Sequence, residues 1–176
     1  MKRVLSQLLA IAAVNVLAAV AFARPAAVVS LAVPIETRPS GRSGPASLAM
    51  VLGFYGADSA QRLRADEAFD AKTQSASLND LVATATRLGY AARIAEPGID
   101  SLAAFLRAGV PPILCIEPRK RLTGRSQYCV VTRWDTLGTR FFVLDGGLRS
   151  RRVEWSVLQS VWQPGGGRAL IVTPRQ

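Results

Sequence analysis

The chain has 176 residues, 49% of them hydrophobic, and a formal charge of +10 carried almost wholly by arginine. That is enough apolar material for one cored domain. The aromatics are only 7% and do not interleave with the basic residues, which argues against a stacking platform for nucleic acid.

Lys2 and Arg3 open the chain, and Val4 to Val20 is apolar apart from Ser6, Gln7 and Asn15. Ala21-Phe22-Ala23 then has the small-x-small form of a cleavage site. Residues 1–23 are therefore expected to be a secretory signal cut near Ala23, and residues 24–176 a single, monomeric, periplasmic or secreted domain. The same run approaches the roughly 20 residues that span a bilayer, so an uncleaved inner-membrane anchor is the alternative. Its alanine content and cleavage-like end favour removal, which leaves no stable membrane span.

Ala26 to Val33 is apolar and partly β-branched, and Pro34 to Gly41 is irregular. The next stretch, Ser43 to Gly56, predicts a helix: Leu48, Val51, Leu52 and Tyr55 fall on one face. Ser43 suits the N-cap, Pro45 the first turn and Gly56 the stop. Ser59 to Ala71 is a second helix candidate, marked by Leu63, Ala68 and Phe69. Ser77-Leu78-Asn79-Asp80 reads as a capping box with a shorter acid, opening a helix that runs to Gly89. Tyr90 to Ala95 reads as a strand, and Asp100 as the cap of a helix over Ser101 to Ala108.

From there the pattern turns to β. Pro112 to Glu117 predicts a strand, Pro118 to Ser126 a basic loop (Arg119, Lys120, Arg121, Arg125), and Gln127 to Trp134 with Arg140 to Asp145 a hairpin. Arg151 to Val153 is extended, Glu154 to Trp162 helical, and Ala169 to Thr173 a last strand. Helices first and antiparallel strands second is an α+β pattern. Cys115 and Cys129 lie in apolar strands, where a disulfide and two buried thiols are both compatible with export.

This order of elements, with these residues, resembles the papain-like double-glycine leader peptidases, cysteine peptidase family thirty-nine. Ser43-Gly44-Pro45-Ala46 and Leu48 to Gly56 match the family's Cys-Gly-Pro-Ala-like helix start and its apolar continuation. Ser77 to Leu81, Leu88 to Ala92, Pro111-Pro112-Ile113, Gln127 to Val131 and Val143-Leu144-Asp145 follow in the family's order. The resemblance covers about residues 33 to 173. It implies a papain-like fold with N-terminal helices packed on a C-terminal antiparallel sheet. It also implies a peptide-binding cleft at Ser43, Gly44, Gln127, Tyr128 and Asp145.

The departures fall on the chemistry. By the resemblance, Ser43 stands for the nucleophilic cysteine, Gln127 for the base histidine and Thr37 for the oxyanion-hole glutamine. Only the orienting aspartate survives, as Asp145. Amide hydrolysis needs a base to take a proton and an acid to deliver one. The chain contains no histidine, and Gln127 does not titrate. Lys120 is the one lysine placed to act as a base, but it lies between two arginines in a surface loop. A solvated ammonium keeps its proton.

The expectation is thus a degenerate member without functional catalytic residues, metal or cofactor. It would bind an exported peptide or protein in the vestigial cleft, in the setting of an ABC-exporter system. A serine hydrolase using Ser43 with a non-histidine base, and a purely structural domain, are the alternatives.

Overall fold

The computed structural model describes residues 28–39, 41–116, 127–135, 140–144 and 150–175. The N-terminal apolar run, the basic loop around Lys120, the turn after Asp135 and Asp145 lie outside the described residues.

In chain order the elements are β1 (Val28–Ser30), α1 (Ser43–Phe54), α2 (Ser59–Leu63) with a 3₁₀ turn (Arg64–Ala68), α3 (Leu78–Arg87), β2 (Tyr90–Ala95) and α4 (Ile99–Arg107). Then come β3 (Ile113–Ile116), β4 (Gln127–Asp135), β5 (Arg140–Leu144), β6 (Arg151–Glu154), α5 (Trp155–Trp162) and β7 (Ala169–Pro174). The strands form one antiparallel sheet in the order β2-β7-β3-β4-β5-β6. β4 organises it. Its first half pairs with β3, from Gln127 opposite Ile116 to Val130 opposite Ile113, and its last residues pair with β1.

Alternation along the strands sorts the side chains into two apolar layers. Tyr128, Val130, Leu170 and Val172 meet Leu48, Leu52, Leu81 and Ala85 of α1 and α3. Cys129, Val131, Phe141 and Ile171 meet Leu102 and Leu106 of α4 and Leu158 and Trp162 of α5. Helices therefore cover both faces of the sheet, the N-terminal α1 and α3 on one and α4 and α5 on the other. The same alternation settles the cysteines. Cys115 belongs to the first layer and Cys129 to the second, so the sheet separates the two thiols and no disulfide joins them.

α1 is buried along its length from Gly44 to Leu52, not on one face alone. A helix apolar all round is a core helix, and α2, the 3₁₀ turn, α3 and β4 all pack on it. Burying each leucine there contributes about 1.5–3 kcal/mol. The expected second helix breaks instead. It is capped by Asp58 and tightens into the 3₁₀ turn after Leu63, which puts Ala65 and Ala68 in the core and leaves Leu63 exposed.

The Ser77–Asp80 capping box forms as expected, with each side chain accepting the other residue's backbone N–H. Asp100 does not cap α4. Gly98 holds that position, and Asp100 lies in the first turn, where its charge complements the helix dipole.

One irregularity interrupts the ladder. Val131 faces Val143 and Arg133 faces Phe142, so Thr132 is an extra residue in a β-bulge. Trp134 therefore packs in the second layer, stacked 6.3 Å from Phe141, and Arg133 lies over the ring of Phe142 on the other face.

Candidate functional site

Ser43 is the first helical residue of α1, and the flanking position belongs to Arg42, which makes no side-chain cap. The expectation that Ser43 caps its own helix is corrected by a long-range partner: its Oγ accepts the backbone N–H of Tyr128 at 3.2 Å. A hydroxyl held by a strand 85 residues away is not turned back onto the first helical turn. The bond sets the N-terminus of α1 against the start of β4.

Two further contacts fix this junction. The Tyr128 ring is buried, and its hydroxyl donates to the carbonyl of Ala76 at 2.7 Å. Gly44 lies against the same ring. A Cβ there would stand 3.1 Å from Cδ2 of Tyr128 and 3.2 Å from Cβ of Ala76. Gly44 is therefore required for close approach, not for an unusual backbone angle.

Gln127, the first residue of β4, is exposed beside this junction. Ser43, Gly44, Gln127 and Tyr128, far apart in sequence, are thus brought together. Thr37 is not brought in by any hydrogen bond to Ser43 among the described residues. It is exposed, and its carbonyl accepts from Arg38 at 3.1 Å. Asp145, next after the last residue of β5, lies outside the described residues.

A charged cluster that sequence reading missed anchors the segment leading into α1. Arg38 pairs with Glu36 at 3.1 Å and Asp66 at 3.5 Å, Arg42 with Asp66 at 3.7 Å, and Arg62 with Glu36 at 2.8 Å. The Arg42 guanidinium also sits 4.0 Å over the Phe69 ring. The side chain of Arg38 is only 12% exposed. Gly53 of α1 leaves room for Arg62, since a Cβ there would meet Arg62 Cδ at 2.9 Å. The partners come from separate turns of chain, so no local spacing announces them.

The first N–H groups of a helix have no intrahelical partner and carry partial positive charge. At the start of α1 Pro45 has no N–H and Ala46 donates to the Arg42 carbonyl, so the N–H groups of Ser43 and Gly44 are the ones without an intrahelical acceptor, with one hydroxyl beside an exposed carboxamide. This arrangement can bind and orient a peptide carbonyl. It has no imidazole to move a proton, because the chain has none. Among the described residues no group of three metal-ligating side chains is assembled, and no helix is long and apolar enough to cross a membrane.

A buried helix that presents its first residue to the start of a central antiparallel strand defines a papain-like peptidase fold. Comparison with solved structures finds the same fold in C39 peptidase domains. The chain is similar to the peptidase domain of Streptococcus ComA, a bi-functional ABC transporter involved in quorum sensing. That match has a TM-score of 0.63 and 23% identity, over 80% of this chain and 97% of that one.

The chain is also similar to a double glycine motif protease from an AMS/PCAT transporter, solved in complex with the leader peptide (TM-score 0.62, 18% identity, 83% and 94% covered). A C39-like peptidase from Bacillus anthracis gives a TM-score of 0.68 at 15% identity, with 85% and 98% covered. The sequence matches no protein-family model and no curated protein. At these identities the likeness is one of fold, and it bears out the α+β papain-like architecture expected from the sequence.

Proposed function

We propose that this chain is an exported, catalytically inactive relative of the double-glycine leader peptidases that holds an extended polypeptide in the cleft beside Ser43. The observation that carries this reading is the Ser43–Tyr128 hydrogen bond. It keeps the junction of nucleophile-bearing helix and base-bearing strand intact while the residues there are a serine and a glutamine. A site preserved in shape without a proton carrier suits binding better than turnover. One structural neighbour is the peptidase domain of an ABC transporter and another is a transporter protease in complex with the leader peptide, which supports an exported peptide or protein as the partner.

The test combines two measurements on the purified mature protein. A serine-directed fluorophosphonate should leave Ser43 unlabelled, and peptides containing Gly-Gly should remain uncut. A photocrosslinker placed at Gln127 should capture a specific polypeptide in the cell envelope. Labelling of Ser43 that disappears in Ser43→Ala would establish a serine hydrolase instead. Absence of any specific adduct would favour a purely structural role.

A further inference from the structure

We infer that the outer edge of β2 is a second peptide-docking site, which takes an extended segment bearing apolar and acidic side chains on one face. The inference stands independently of the cleft reading, because it rests on a different part of the molecule.

The sheet ends at β2 on one side and at β6 on the other. An open edge is a template for another strand unless it is short, charged, bulged or covered. β6 is blunted: it has four residues, and Arg151, Arg152 and Glu154 are charged. β2 is not. Its six residues carry one charge, Arg93, and pair with β7 without interruption from Tyr90–Pro174 to Ala95–Ala169. Among the described residues no strand pairs with its outer side, and Ile94, on the face opposite Arg93, is 37% exposed. In an antiparallel ladder alternate residues of such a strand turn their N–H and C=O groups away from the partner.

Beside this edge lies a groove. Ala91 and Arg93 of β2, Ile171 of β7 and Phe105 and Val110 at the end of α4 enclose about 260 Å³. The space continues past Ala91 and Val110 into a wider depression of about 750 Å³ that reaches Arg175.

Charge indicates the occupant. The Arg93 guanidinium lies 5.8 Å over the Phe105 ring, Arg175 lines the far end, and no acidic side chain lines either part among the described residues. A strand added to β2 would present every second side chain to this groove. An apolar residue fits the wall of Phe105, Val110 and Ile171, and a carboxylate two positions along fits Arg93. Tyr55, at the far end of α1 from Ser43, borders the depression. A 12-residue helix is about 18 Å long, so the groove and the cleft lie at opposite ends of α1.

The probe is acetyl-Thr-Val-Thr-Glu-Thr-Val-Thr-amide, which places both valines and the glutamate on one face in either strand direction. Titrated into the isotope-labelled mature protein, it should shift the amides of Tyr90 to Ala95 and leave those of Gln127 and Tyr128 in place. N-methylation of alternate probe residues should abolish binding in one register of methylation, because it removes the backbone donors. Arg93→Glu should weaken binding about tenfold, and replacing the probe's glutamate by lysine should recover it. Gln127→Ala should leave the affinity unchanged. The inference is overturned by absence of binding up to about 1 mM probe. It is equally overturned by shifts centred on Gln127, by full binding of both methylated probes, or by an unchanged affinity in a folded Arg93→Glu.

Discussion

Replacing Gly44 by alanine tests the junction of α1 and β4 most directly. Gly→Ala inside a helix normally stabilises by up to about 1 kcal/mol. Here the new methyl would stand 3.1 and 3.2 Å from two carbons of the Tyr128 ring and 3.2 Å from Cβ of Ala76. Comfortable carbon contacts begin near ~3.5 Å. The ring has little room to retreat: it is 1% exposed, its hydroxyl is held by Ala76, and its backbone N–H is held by Ser43.

Overpacking of this kind costs about 1–3 kcal/mol, so with a helical gain of about 1 kcal/mol set against it the net cost should be about 0–2 kcal/mol, against the stabilisation that Gly→Ala normally brings. Urea unfolding of the purified protein at constant m-value measures it. In a Tyr128→Ala background the cost should fall, with a coupling of about 1 kcal/mol between the two sites. Stabilisation by Gly44→Ala, or an equal effect in both backgrounds, would refute the close-approach argument.

Ser43→Ala removes the acceptor of the Tyr128 N–H, and hydrogen exchange at that amide should accelerate severalfold while β3–β4 amides near Val130 stay protected. Burial raises the Tyr55 phenol from 10.0 to about 12, and its hydroxyl donates to the Val172 carbonyl at 3.0 Å. The stabilisation linked to this shift is complete below pH 10 and is lost as pH rises towards 12. Tyr55→Phe should therefore flatten that part of the alkaline stability loss in pH-dependent unfolding and remove a tyrosinate absorbance step near pH 12.

Asp66→Asn takes the carboxylate from Arg42 and leaves Arg38 paired with Glu36 alone, and a loss of about 1 kcal/mol should persist in 1 M salt because Arg38 is largely buried. Mass spectrometry after denaturation and alkylation without reductant should find both Cys115 and Cys129 modified. A disulfide found there would contradict their placement on opposite faces of the sheet.

The sequence made legible those features whose partners are close in the chain. The Ser77–Asp80 box needs only four residues and a following apolar run, and it forms as expected. Strands β2 to β5 and β7 announce themselves by apolar runs between turn residues. Ser43 was misread as a cap because its residue type suits one, while the partner that claims its hydroxyl lies on a strand much later in the chain.

Asp100 shows the limit in another way. Gly98, two residues before Asp100, takes the extended conformation of the cap, and the helix has already begun at Ile99. The charged cluster of Glu36, Arg38, Arg42, Arg62 and Asp66 left no signal at all, because its members meet only after α1 and the 3₁₀ turn have folded together. Within the site, the juxtaposition of Ser43 with Gln127 and Tyr128 was implied by the family resemblance. The clamp of Tyr128 on Ala76 was not, since a tyrosine in a strand does not disclose its acceptor.

The extra residue at Thr132 determines which face of the sheet each of its neighbours takes. Read straight through, β4 would send Arg133 the same way as Val131, and Trp134 the opposite way. Pairing Thr132 with Phe142 would then press a guanidinium among Phe141 and Trp162 and turn an indole outward. Burying that charge without an anion is far more costly than one irregular ladder step. The bulge therefore works as a lock on alignment: the central strand has one tolerable seat, and sliding it by a single residue is excluded by the side chains themselves.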